Sequence, residues 1–214
     1  AEQFELKTTN SSGQQHKVIL IPGSSGKHYA QIINGAPFDI FFSADTERAR
    51  LLEQSERAES GTRFTYALGK LILWSPMDNY VDLKGEVLKS KDFRYLAIAN
   101  PKLAPYGKAA EEVIKSLNIW TDLGGRIVRG ENIAQTFQFV SSGNAKLGFV
   151  AHSQIKSSDL SISGSFWEVP QSIYRPIEQQ AVLLRDSALA REFLSFVKST
   201  ESLSIIYESG YGLP

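Results

Sequence analysis

Within this 214-residue chain, Pro22-Gly23-Ser24-Ser25-Gly26 is the stretch richest in groups that could hold a ligand. Its two serine hydroxyls sit between glycines. The run that follows, His28-Tyr29-Ala30-Gln31-Ile32-Ile33, places Tyr29, Ile32 and Ile33 on one helical face. Upstream, Val18-Ile19-Leu20-Ile21 is continuously apolar and reads as a buried strand. A strand, a hydroxyl turn and a helix in succession aim O–H and N–H donors at one point, where the positive end of the helix dipole also favours an anion. The chemistry implied is capture of a small anion without any need to react with it.

Two further loops share this grammar. Ala104-Pro105-Tyr106-Gly107 follows the apolar strand Tyr95–Ala99 and precedes a helix over Lys108–Leu117. Glu131-Asn132-Ile133 follows the strand Arg126-Ile127-Val128 and opens a helix over Ile133–Val140. Each loop alone reads as an ordinary cap, since Ser and Asn are common N-caps. Together they bring helix starts from two regions of the chain toward one ligand, as loops at the carboxyl ends of parallel strands do. None of the three needs Arg or Lys, which points to a desolvated dianion held by hydroxyls and amides, with Ser24, Ser25 and Asn132 among the candidates.

Other patterns carry less. Gly23-Ser24-Ser25-Gly26-Lys27 ends like a phosphate loop, but the nucleotide signature needs glycine in place of Ile21 and Ser or Thr in place of His28. His16, His28 and His152 have no carboxylate or histidine at metal-ligand spacing. Ser25 and His28 lack a third orienting group for a nucleophilic triad. The pairs Phe41-Phe42 and Phe166-Trp167 read as core, and Tyr174, Tyr207 and Tyr211 receive no role beyond one of them lining a cleft.

The elements that must position these loops alternate between strand and helix. Ala1–Thr8 reads as the tail of an amphipathic helix stopped by Asn10-Ser11-Ser12-Gly13. Pro37–Ser43 is a short strand and Glu47–Gln54 a helix. Arg63–Trp74 reads as one long strand whose central Gly69 marks a crossover. Leu147–Ala151 is a buried strand, Gln179–Leu184 a return strand, and helices over Ala188–Lys198 and Glu201–Glu208 close the chain. The alternation predicts parallel sheets, and two such groups joined by two crossovers predict two α/β lobes with a cleft. The expected division is residues 1–69 with 181–214 in lobe I, and 70–180 in lobe II.

Composition narrows the partners. Lys+Arg 23 balance Asp+Glu 23, a net charge of +0, so the overall field favours neither nucleic acid nor an anionic membrane. Cysteine is absent, which excludes disulfides, zinc-thiolate sites and thiol catalysis. No apolar run approaches the roughly 18–20 residues of a membrane span, and no signal peptide is present, so an exported form is expected to be processed.

From Gly23-Ser24-Ser25-Gly26 with Tyr29-Ala30-Gln31-Ile32, through Phe38–Asp45, Gly69–Trp74, Asn100-Pro101, Ala104–Gly107, Glu131-Asn132-Ile133 and Leu147–Val150, to Tyr211-Gly212-Leu213-Pro214, the chain resembles the periplasmic molybdate-binding proteins of ABC importers. The resemblance runs the length of the chain. It implies an α/β type II periplasmic-binding-protein fold, two lobes closing over molybdate or tungstate. It also implies anion contacts from the Ser25 hydroxyl and backbone, from the Ile133 N–H, and from Tyr106, since the tyrosine of the family's other branch would stand at Ala151. These contacts are to the anion's oxygens, and none is a direct bond to the metal. Family members also carry a strand and an Ala-Ala-Ser or Ala-Thr-Asn loop before the helix that opens this chain. A form lacking them is expected to bind weakly and to associate through an exposed edge of lobe I.

The function expected is an extracytoplasmic receptor for molybdate or tungstate, with the membrane subunits of an ABC permease as partner. It is expected to use no cofactor, catalyse no reaction, bind no nucleic acid and insert in no membrane. A receptor for another anion such as sulfate, an effector-sensing domain and an enzyme on this fold are the alternatives.

Overall fold

Continuous apolar runs form the centre of the molecule. In the computed structural model, which describes residues 1–8, 16–156 and 164–214, the strands β3 (Leu71–Ser75), β4 (Leu96–Ala99) and β6 (Leu147–Ala151) are buried at every position. Strands buried on both faces need helices on both sides. Alternation along β3 sends Leu71 and Leu73 to one side, with Val113 and Ile114 of α5 (Pro105–Ser116). Ile72 and Trp74 point to the other, with Val140 of α6 (Ile133–Ser141). There Trp74 stacks on Phe137 at 5.1 Å.

With β5 (Ile127–Gly130) and β7 (Ser165–Glu168) these strands make a five-stranded sheet in the order β5-β4-β6-β3-β7. A second sheet of three strands has β8 (Ile177–Leu183) between β1 (Ile40–Ser43) and β2 (Phe64–Gly69). Helices α2 (Ser25–Ile33) and α3 (Thr46–Gln54) cover one face through Ile32, Ala49 and Leu52. On the other, α8 (Ala188–Val197) packs Ala190 and Leu194 on Ala181 and Leu183. The first helix, α1 (Glu2–Lys7), is anchored by Phe4, whose ring meets those of Phe193 and Phe196. Shorter helices α4 (Val87–Ser90) and α7 (His152–Lys156), a 3₁₀ turn at Gln171–Ile173 and α9 (Thr200–Glu208) complete the described chain.

The sheets depart from the parallel arrangement expected. Only β5-β4-β6 are parallel; β3 runs antiparallel to β6 and β7, and β8 antiparallel to β1 and β2. The cause lies in the crossover. Arg63–Trp74 is two strands rather than one, and no helix intervenes between Gly69 and Leu71, so β3 enters the second sheet from the end opposite to β4, β5 and β6. Gly69 marks the junction, as its place in the sequence suggests. Ile177, the first residue of β8, pairs with Gly69, so the outgoing and returning crossovers lie side by side.

Val18–Ile21 is not a strand. Ile19, Leu20 and Ile21 are exposed, because an apolar run becomes a strand only where a neighbour offers a ladder. Among the described residues this run has none, and it faces β1 across a groove of about 870 Å³ that Phe4 and Phe193 also line. The aromatic pairs are half core: Phe41 and Trp167 are buried, while strand alternation turns Phe42 and Phe166 outward. The polar cluster expected to end α1 lies outside the described residues.

Close packing of α5 on β4 depends on Gly107, where a Cβ would stand 2.2 Å from the Ala99 carbonyl oxygen. Gly107→Ala is expected to lower unfolding free energy by about 3 kcal/mol or more, and Gly125→Ala, at an uncrowded position, by less than about 0.5 kcal/mol. Denaturant midpoints of the two variants would check this, and similar midpoints would refute it.

Candidate anion-binding site

Helix starts leave N–H groups that their own helix cannot bond. At α2, Ser24 is an extended N-cap whose hydroxyl accepts from the Lys27 N–H at 3.4 Å. At α6, the Asn132 side chain accepts from the Gln135 N–H at 2.9 Å, and its carbonyl accepts from the N–H and hydroxyl of Thr136. At α5 the cap is Ala104, with Pro105 placed where an N–H would otherwise lack a partner. After these bonds, the N–H groups of Ser25, Tyr106 and Ile133 have no partner among the described residues.

Backbone bonds join the three starts. The Gly26 N–H donates to the Leu103 carbonyl at 2.9 Å, tying the first turn of α2 to the loop before α5. Only glycine permits this approach, since a Cβ there would lie 2.9 Å from the Leu103 oxygen. The Asn100 N–H donates to the Gly130 carbonyl at 2.7 Å, so the loops after the parallel strands β4 and β5 leave together toward α5 and α6. Three of the sequence candidates, Ser25, Tyr106 and Ile133, thus belong to helix starts linked through one connected set of loops. Ser24 and Asn132 hold the turns that aim them.

The side chains are already oriented. The buried Ser25 Oγ accepts from the Ala44 N–H at 2.9 Å, just beyond β1. Tyr106 is 5% exposed, and its Oη accepts from Gln179 Nε2 at 3.0 Å. Burial holds the Tyr106 phenol well above its ordinary pKa of 10.0, with the nearby hydroxyls of Tyr211, Tyr66 and Tyr174 adding to the effect and the Gln179 bond opposing it. Ile133 packs on the core of the second sheet, and its carbonyl accepts from Gln154 Nε2 at 3.1 Å. The donors assembled are neutral. The neighbouring cation, Arg48, is paired with Asp45 and reaches the Lys102 carbonyl.

Other sequence candidates separate from this set. His28 bonds Gln31 through Nδ1 and turns its ring edge to Phe38, away from a pairing with Ser25. No group of three His, Cys, Asp or Glu that could hold a metal ion occurs among the described residues. Tyr174 is buried and accepts from the Leu71 N–H at 3.3 Å, Tyr207 is exposed, and Tyr211 lines the groove beside β1. A second cavity, about 540 Å³ between α3 and α5, mixes Arg48, Lys108 and Arg175 with Glu47, Glu111 and Glu112 and contains none of the five candidates.

Gln179 was missed by sequence reasoning as a site component. The signal was present: two adjacent glutamines running into the apolar stretch Ala181–Leu184 must find polar partners once that strand is buried.

Relatives share this architecture. The chain is 44% identical to the molybdate-binding protein ModA of Azotobacter vinelandii, over 100% of its own length and 83% of the relative's. It is 46% identical to ModA of Rhodobacter capsulatus, over 99% and 82%. The solved structure of the A. vinelandii periplasmic molybdate-binding protein superposes with a TM-score of 0.91 at 42% identity, covering 100% of this chain and 94% of that one. No described helix is long and apolar enough to cross a membrane. Residues 1–212 match the family described as bacterial extracellular solute-binding protein, and this chain, with its two α/β lobes and the cleft between them, belongs to that family.

Proposed function

We propose that this protein is the periplasmic receptor of an ABC importer, capturing molybdate or tungstate and delivering it to the permease's membrane subunits. In this reading residues 1–69 with 181–214 form one lobe and 70–180 the other, and they close over the anion. The observation that supports it is the linkage of three helix starts, each with an unbonded neutral donor among the described residues, by the Gly26–Leu103 and Asn100–Gly130 bonds. The Ser25 hydroxyl and N–H, the Tyr106 hydroxyl and the Ile133 N–H face the oxyanion's oxygens, with the Ser24 and Asn132 turns as their supports. Helix dipoles supply roughly half a positive charge at each of three starts, so most of a dianion's charge is offset without a cation. The protein does no chemistry on its ligand and needs no cofactor, and neither nucleic acid nor membrane insertion has a part in its action. Molybdate, the ligand for which these relatives are named, agrees with this reading.

A thermal-unfolding panel tests it. Molybdate and tungstate at about a hundred times their Kd add roughly 2.7 kcal/mol, a rise of about 5–10 °C in a chain of this size. Sulfate should give less, because it fills a site shaped for a larger anion poorly. Phosphate should give none, because near neutral pH it carries a proton and the hydroxyl oxygens of Ser25 and Tyr106 are already accepting. Equal shifts with phosphate would sink the assignment.

Ser25→Ala acts twice. It leaves the Ala44 N–H without its partner, which should lower unliganded stability by about 1 kcal/mol, and it removes a donor to the anion, for a further loss of about 1.5–3 kcal/mol in binding. Calorimetry and unliganded melting separate the two, and unchanged affinity would place Ser25 outside the shell.

The pH response follows from the raised phenol pKa. A tyrosine at its ordinary value of 10.0 would lose half its donors by that pH, whereas Tyr106, protonated throughout, should keep affinity flat between about pH 7 and 10. Titration calorimetry across that range would expose any decline.

A further inference from the structure

We propose that Gln179 is a positioning residue that fixes the Tyr106 hydroxyl as a donor toward the anion, an inference that rests on the receptor reading above. Gln179 lies on β8, buried, between two tyrosines from different parts of the molecule. The Tyr66 hydroxyl, on β2, donates to Gln179 Oε1 at 2.8 Å. Gln179 Nε2 donates to Tyr106 Oη, on α5, at 3.0 Å. The bonds have one direction. An amide oxygen only accepts and an amide nitrogen only donates, so once Tyr66 takes the oxygen, the nitrogen must face Tyr106. The reversed amide would take from the Tyr66 proton the acceptor it has, Gln179 Oε1. In the observed orientation Tyr106 Oη receives a hydrogen bond, and its own proton is the group left to point at a ligand.

Gly69 supplies an independent observation. A Cβ at this crossover residue would stand 2.4 Å from Tyr106 Oη and 3.0 Å from Gln179 Nε2. The hydroxyl and the amide are therefore packed against the crossover backbone and have little freedom to exchange roles. The relay joins the two sheets, with Tyr66 and Gln179 on the three-stranded sheet and Tyr106 on a helix packed against the five-stranded one.

The test is a double-mutant cycle read by calorimetry with molybdate. Gln179→Met keeps the volume and removes the amide. It should weaken binding by about tenfold in the wild-type background and have no further effect in Tyr106→Phe, because its action passes through the Tyr106 hydroxyl. It should also narrow the preference for molybdate over phosphate, since an unoccupied Tyr106 oxygen can accept the phosphate proton. Tyr66→Phe, which removes the proton that holds the Gln179 oxygen, should weaken binding by about threefold with the same dependence on Tyr106, and it keeps the test open if the methionine variant does not fold. Equal losses in both backgrounds, or no loss with either variant, would overturn the positioning role while leaving the receptor reading intact. Failure of the wild-type chain to bind any of molybdate, tungstate, sulfate and phosphate would remove the receptor reading and this inference with it.

Discussion

Three helices begin beside one another here, and the arrangement around them follows from where their unbonded N–H groups are satisfied. Some are met locally by Ser24 and Asn132. One, at Gly26, reaches across to Leu103 and draws two parts of the chain together. Those that remain cannot be sealed in apolar surroundings without cost, so the space they face must hold water or an acceptor. The absence of a side chain at Gly26 is what brings the loops close enough for this. A larger residue would push the start of α2 away from the linked starts of α5 and α6.

The second organising region is the pair of crossovers. Gly69 and Ile177 are partners in register, so both passages between the sheets occur at one place. Around them, Tyr174 bonds the Leu71 N–H, and Glu112 of α5 pairs with Arg175 just before β8. Arg175 and its hydrogen bonds hold the Glu112 carboxyl below the usual carboxylate range despite its partial burial. Away from this place, α2 and α3 each reach the loop before α5 through one hydrogen bond among the described residues, from the Gly26 N–H to the Leu103 carbonyl and from Arg48 to the Lys102 carbonyl, and single bonds separate at low cost.

What could be read from the sequence was what depends on neighbours along the chain. Ser24, Asp45, Asn132 and Ser187 cap helices because a cap needs only the next three residues, and the helices they open begin within a few residues of the positions expected. Gly69 was legible because a glycine inside an apolar run has few other uses. Pairing partners were not legible. Val18–Ile21 has the composition of a strand and lacks a pairing strand among the described residues, and nothing local told β3 to run against β6. The relay through Gln179 was hidden for the same reason: its partners are 113 and 73 residues away. The whole-chain resemblance located Tyr106, whereas its burial and the direction of its hydrogen bonds emerged only from the fold.

The neutrality of the donor set bears on the timing of capture. Attraction between an ion and dipoles is short-ranged, and a chain with net charge +0 adds no monopole field, so an approaching dianion is steered little from afar. Encounter then proceeds at the rate of unguided diffusion, and discrimination between anions falls to how slowly the enclosed one escapes. Such a receptor gains little from dilute surroundings and loses little in salty ones, because there is scant long-range attraction for salt to screen. Outside the cytoplasm, where ionic strength follows the environment, retention is then set by the fit of the dipoles rather than by the medium.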